Sequence, residues 1–136
     1  YCNQFPNLSL TISTQPLRDC VPASTLVIAA SGTATLEVIL LKRPLIVLAA
    51  LPHITYLVAK YLLRIKLAFI SLPNFLTQQE LVKEFVQYEI KSAAIAKAAQ
   101  RCIDDPFSYI NNYDKLINTL KGHSSIYTQI SKEILN

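Results

Sequence analysis

The sequence predicts an α/β fold in which a mostly parallel sheet carries helices on both faces, and three observations lead there. Short apolar, β-rich runs occur at 26–30 (Leu-Val-Ile-Ala-Ala) and 45–50, helix-compatible stretches separate such runs, and at Ser31-Gly32 a strand run gives way directly to a helical pattern. Strands that alternate with helices are joined by crossovers, which place neighbouring strands parallel and layer helices on the sheet.

Taken in order, residues 8–13 alternate apolar and polar at a period of two, as a strand with one better-buried face does. Residues 15–23 carry two prolines, Pro16 and Pro22, and read as a connection. The run 26–30 is short enough for a buried strand. The helix expected over 33–42 is apolar nearly all round (Ala34, Leu36, Val38, Ile39, Leu40, Leu41), which predicts an inner helix packed on most sides. Pro44 starts the next strand, 45–50. An amphipathic helix follows over 54–64, with Ile54, Leu57, Val58, Tyr61 and Leu62 on one face and Lys60 and Arg64 on another. A short strand at 67–71 leads into a Leu72-Pro73-Asn74 turn. Thr77-Gln78-Gln79-Glu80 then has the form of a capping box opening a helix to Gln87. Helices are expected over 91–104, over 108–121 with Gly122 as C-cap, and over 125–135. The sheet domain thus covers 1–105 and a helical tail 106–136.

Composition narrows the function classes. With 136 residues, 51% hydrophobic, the chain can bury one core, and a charged fraction of 16% is too low for a disordered protein. It opens on Tyr1 and contains no methionine, which reads as a piece of a longer product. A net charge of +4 gives mild attraction to anionic partners without choosing among nucleotides, phospholipid headgroups and nucleic acid. Cys2, Cys20 and Cys102 form no C-x-x-C pair, which argues against a disulfide framework and a zinc site and favours a reducing cytoplasm. Residues 45–63 are apolar enough to consider as a membrane span, but Pro52-His53 would break such a helix and Lys60 lies in its second half. A buried strand, a turn and an amphipathic helix fit better, and no signal peptide is visible.

The corner Ser31-Gly32-Thr33 is the first candidate site. A strand-to-helix turn leaves backbone N–H groups without helical partners, which suits a phosphate, and Gly32, one of two glycines, would let it approach closely. Ser31 and Thr33 equally suit a helix start, where their hydroxyls would satisfy the same N–H groups. Glu37 lies one turn after Thr33 on an otherwise apolar helix, as a dipole-compensating acid or as an acceptor for ribose hydroxyls. Asn74 follows Pro73 at the expected carboxyl end of a strand, where its amide either reads a base or sugar hydroxyl or bonds its own turn. Glu80 is first a capping residue. His53 and His123 have no partner at metal-ligand spacing, and Lys60, Arg64 and Lys66 read as a solvated face, with anionic lipid the alternative. There is neither a G-x-S-x-G elbow nor a Walker-type G-x-x-x-x-G-K-[ST] sequence, so hydrolase and kinase readings fall away.

Residues 30–37 (Ala-Ser-Gly-Thr-Ala-Thr-Leu-Glu), Pro44 with the strand after it, Thr55-Tyr56, Ala59-Lys60, Ile70-Ser71-Leu72-Pro73-Asn74, Glu80-Leu81-Val82 and Glu84-Phe85 together resemble the carboxyl-terminal half of lipid-A-disaccharide synthases. The resemblance runs from about residue 23 to 87 and more loosely to 104. It implies a Rossmann-like carboxyl-terminal domain of a GT-B glycosyltransferase. The implied enzyme is cytoplasmic and peripheral on the inner membrane, and moves diacylglucosamine from UDP to diacylglucosamine 1-phosphate with inversion, without a metal or cofactor. By the same resemblance Ser31, Gly32 and Thr33 would face the diphosphate, Glu37 would hold the ribose, Asn74 would lie near the uracil or diphosphate, and Glu80 would support that loop. The general base and acceptor site are expected in an amino-terminal domain that these residues do not contain. The implied partners are the two lipid-linked sugars, the inner-leaflet surface and a second copy of the chain, with no nucleic acid. Ala50 and Gln79 stand where relatives are expected to carry arginines, which opens a second reading as a nucleotide-binding module without catalysis.

Overall fold

The computed structural model describes residues 8–50, 69–118 and 120, and within them three parallel strands form one sheet in the order β1-β2-β3. β1 is Val27–Ala30, β2 Leu45–Ala49 and β3 Lys83–Val86. Val27 pairs with Leu45 and Ala30 with Leu48, while Ile46 pairs with Lys83 and Ala49 with Val86. The expected α/β class with a parallel sheet and flanking helices is what the chain forms.

The sequence of β2 explains its central place. Leu-Ile-Val-Leu-Ala is apolar at every position, as a strand covered on both faces must be. Leu45 and Val47 point into one cluster with Val38 and Ile39, whereas Ile46 points into another with Phe85 and Cys102. Helix α2, Ala34–Leu40, covers the first face. The helix Ser92–Asp104 covers the second, through Ala94, Ile95, Ala98, Ala99 and Cys102 at helical spacing.

Helix α2 buries Thr35, Val38 and Ile39 but leaves Glu37 and Leu40 in solvent. It packs on the sheet and on the short helices Leu17–Cys20 and Leu72–Thr77, so the expected inner helix is covered on these sides but keeps one strip, Glu37 and Leu40, in solvent. It stops at Leu40 since Lys42 turns left-handed (φ 52°), letting the Lys42 and Arg43 amides reach back to the Ile39 and Val38 carbonyls. Pro44 then releases the chain into β2. Lys42 also pairs with Asp114 at 2.6 Å.

Several expected elements differ. Residues 8–13 form no strand and are exposed, Ile12 at 87%, because among the described residues no strand pairs with them and no core receives their apolar side chains. The connection over 15–23 contains a short helix α1, Leu17–Cys20, between its prolines, followed by a 3-10 turn Val21–Ala23 whose Val21 enters the core. Residues 69–71 are not a strand, and Leu72-Pro73-Asn74 is not a free turn. Those three residues open helix α3, Leu72–Thr77, with Pro73 in its first turn, where its missing N–H is harmless. Thr77-Gln78-Gln79-Glu80 is the exit of α3, not a capping box: Gln78 is left-handed (φ 52°) and the Thr77 hydroxyl donates back to the Pro73 carbonyl. The expected helix to Gln87 is instead β3. Leu81, Val82, Phe85 and Val86 suit either element by spacing, and the open edge of β2 decides in favour of a strand.

Helix α4, Ser92–Asp104, falls where expected. The helix expected over 108–121 is broken into α5, Pro106–Ile110, whose first turn is capped by the Asp105 carboxylate accepting from the Ser108 amide, and a further helix over 113–118. Tyr113, Leu116 and Ile117 of that helix pack into the α2 cluster. Burial pushes the Tyr113 phenol up, and burial likewise raises the Cys102 thiol. Cys20 and Cys102 are free thiols. The helices expected over 54–64 and 125–135 lie outside the described residues, as does Gly122, and no helix among the described residues is long and apolar enough to cross a membrane.

The two sides of α2 supply a direct test. Ile39→Ala is expected to cost about 2–5 kcal/mol in urea unfolding, since Ile39 is fully buried, whereas Leu40→Ala should stay within about 0.5 kcal/mol.

Candidate functional site

The carboxyl ends of parallel strands are where α/β sheets bind ligands, and the Ser31 corner lies at the carboxyl end of β1. The Ser31 amide donates to the Leu48 carbonyl (3.1 Å), continuing the β1-β2 ladder one residue past the strand. The corner is held from within by Thr35, which is fully buried and whose hydroxyl donates to the Gly32 carbonyl at 2.6 Å. The Thr35 and Leu36 amides are taken by the Gly32 and Thr33 carbonyls.

The helix-start roles expected for Ser31 and Thr33 as an alternative are not what the corner does. Thr33 is the N-cap of α2, but its side chain makes no capping bond and is exposed. The Ser31 hydroxyl donates to the Ile70 carbonyl at 3.1 Å, across a separation of 39 residues. That bond ties the corner to the segment leading into Leu72-Pro73-Asn74, so the two motifs that sequence reading paired lie side by side.

Gly32 is informative by what does not constrain it. Its φ is not positive, and a Cβ built there meets nothing within 4 Å among the described residues. Neither backbone conformation nor packing among the described residues requires a glycine there.

Asn74 is completely buried, and its carboxamide is taken up inside the protein. Its Nδ2 donates to the Val82 carbonyl (2.8 Å) and to Glu84 Oε1 (2.7 Å), while its Oδ1 accepts from the Val82 amide (2.8 Å). The amide thus imitates a strand partner for Val82 and clasps α3 to the start of β3. Glu80 is exposed and pairs with Lys83 at 2.7 Å, away from any capping role. Glu37 is exposed on the first turn of α2, where its charge complements the helix dipole. Ala50 and Gln79 are both exposed, Ala50 directly after the last residue of β2.

The residue whose part sequence reading missed is Glu84. Its carboxylate accepts from the Ile70 amide (2.9 Å), the Ser71 amide (3.0 Å), the Ser71 hydroxyl (2.5 Å) and the Asn74 amide nitrogen. In the helix expected over this stretch a glutamate reads as a solvated charge, and only the strand aims it at the 70–74 segment. Thr35 was hidden for a similar reason, since a threonine within a helix gives no sign of its burial. Among the described residues no group of His, Cys, Asp and Glu is arranged to hold a metal ion.

Asn74→Ala would leave the Val82 amide and carbonyl unpartnered in the core. A loss of about 2–4 kcal/mol in chemical unfolding is expected, against less than about 1 kcal/mol for Gly32→Ala.

Comparison of the sequence with known proteins finds relatives. The family model described as lipid-A-disaccharide synthetase matches residues 2–135. The chain is 36% identical over 118 residues to a lipid-A-disaccharide synthase of Pseudomonas putida, covering 87% of this chain and 31% of that protein. It is 39% identical over 104 residues to one of Alcanivorax borkumensis, covering 76% of this chain and 27% of the relative. Lipid-A-disaccharide synthase 1 of Legionella pneumophila is 33% identical over 119 residues, or 85% of this chain and 30% of the relative. The chain therefore spans less than a third of the length of these curated relatives.

Proposed function

The chain belongs to the lipid-A-disaccharide synthetase family, and from that premise we propose that it is the nucleotide-sugar-binding part of a glycosyltransferase of lipid A assembly. The reaction is transfer of diacylglucosamine from its UDP carrier to diacylglucosamine 1-phosphate, with inversion at the anomeric carbon and release of UDP. The observation that carries the reading is the Ser31 to Ile70 hydrogen bond, which brings the start of the 70–74 segment against the corner at the carboxyl end of β1. The open space over Gly32 supports it.

In this reading Gly32 and Thr33 face the diphosphate, and Ser31 fixes their place by its bonds to Leu48 and Ile70. Donors aimed at the leaving UDP stabilise charge as the glycosidic bond breaks. Glu37, exposed one turn along α2, accepts from the ribose hydroxyls. Asn74 serves the site by position, since its amide holds α3 to β3, and Glu80 supports the same segment through Lys83. The acceptor site and the general base belong to parts of the protein outside this chain, so the chain alone binds donor without turning it over. The enzyme works at the cytoplasmic face of the inner membrane, as a peripheral protein and a homodimer.

Ala50 and Gln79 favour a second reading, a nucleotide-binding module that has lost catalysis, because a cation beside a diphosphate aids both binding and departure. UDP binding without disaccharide formation by the natural full-length product would support it.

Two measurements test the proposal. In calorimetric titration with UDP, Gly32→Ala is expected to weaken binding by about tenfold or more while the unfolding temperature stays unchanged; equal affinity would refute the assignment. Ala50→Arg, at an exposed position, is expected to strengthen UDP binding several-fold, with the gain shrinking as salt is raised.

A further inference from the structure

We infer that Glu84 is the positioning residue of the nucleotide site, holding the 70–74 segment against the Ser31 corner in the arrangement that receives UDP. The inference rests on the donor-binding reading above and deepens it, naming the group on which the shape of that site depends.

One carboxylate on a strand gathers four donors from one segment. Residues 70 and 71 belong to no strand or helix, so their amides have no ladder to join, and both are turned onto Glu84. Besides these bonds, the described hydrogen bonds holding that stretch are those of the Ser31 hydroxyl to the Ile70 carbonyl and of the Phe75 amide to the Ser71 carbonyl. The path from β3 to the corner is therefore short: Glu84 to the Ile70 peptide, and the Ile70 peptide to Ser31. Glu84 is itself fixed because its backbone pairs with Val47 in the middle strand.

The same bonds settle which groups of the segment are left for a ligand. An anion near the Ile70 and Ser71 amides would meet a carboxylate already seated there, so this turn does not take a phosphate. Glu84 acts on the nucleotide through the placement of Ser31 and of the segment, without touching it. A carboxylate with charge-assisted bonds to backbone N–H groups is stiff enough for that task.

The test uses the full chain, with UDP as probe and amide hydrogen exchange as a second reading. Glu84→Gln keeps the shape but turns an NH₂ toward donors, Glu84→Asp keeps the charge but falls short, and Ser71→Ala removes a single bond to the carboxylate. UDP affinity is expected to fall about tenfold or more in Glu84→Gln, less in Glu84→Asp and a few-fold in Ser71→Ala. The Ile70 and Ser71 amides should exchange faster in each variant while the Val47 amide keeps its protection.

If those two amides lose protection and UDP binds as tightly as before, Glu84 is a structural residue only and the inference is overturned. If they keep their protection, the bonds are not what holds the segment, and the inference is overturned as well. Should Glu84→Gln fail to fold, Ser71→Ala decides by the same two readings. Failure of the unaltered chain to bind UDP is a separate result, which removes the donor-binding reading and the inference with it.

Discussion

The carboxylate of Glu84 is the constraint that joins the 70–74 segment to β3. Helix α3 begins just after Ser71, and the amides that enter a helix have no partners within it. Here a negative group from the neighbouring strand takes the amide of the N-cap Ser71 and that of Ile70 before it, at the helix end where the backbone dipole favours it. Asn74 completes the join from the other side by treating Val82 as a strand would. Two polar side chains thus do for α3 what a hydrophobic face does for longer helices, and a six-residue helix needs that help.

Below this polar join lies a core divided by the sheet. β2 feeds one cluster with Leu45 and Val47 and the other with Ile46, so the middle strand is the shared wall of both. The residues of the helix over 113–118 close the first cluster by burying Tyr113, Leu116 and Ile117 beside Val38 and Ile39. The corner at Ser31 rises from β1, the thinnest part of this construction, where Ile28 and Ala30 are exposed. Its rigidity comes from the ladder bond to Leu48, from Thr35 beneath it and from Ile70 beside it.

What could be read from the chain followed from how locally each signal is decided. β1, α2, β2 and α4 were legible because an apolar run ended by Gly or Pro, or thirteen residues of sustained helical spacing, resolves within its own length. β3 was not, since Leu81, Val82, Phe85 and Val86 satisfy both periods and only the β2 edge distinguishes them. That single ambiguity displaced the capping box, the role of Glu80 and the meaning of Glu84 together. The pairing of the Ser31 corner with the Pro73-Asn74 segment was anticipated from motif order, but the way Asn74 takes part was not. A buried amide and an exposed one have the same letter.

Gly32 and its neighbours answer to different masters. Thr35 and Asn74 are held by the needs of folding, whatever the protein does, while nothing among the described residues holds Gly32 to its identity. In a lineage that abandoned its chemistry yet kept the scaffold, drift would therefore surface first at Gly32, and the two buried anchors would outlast it as a fossil of the site.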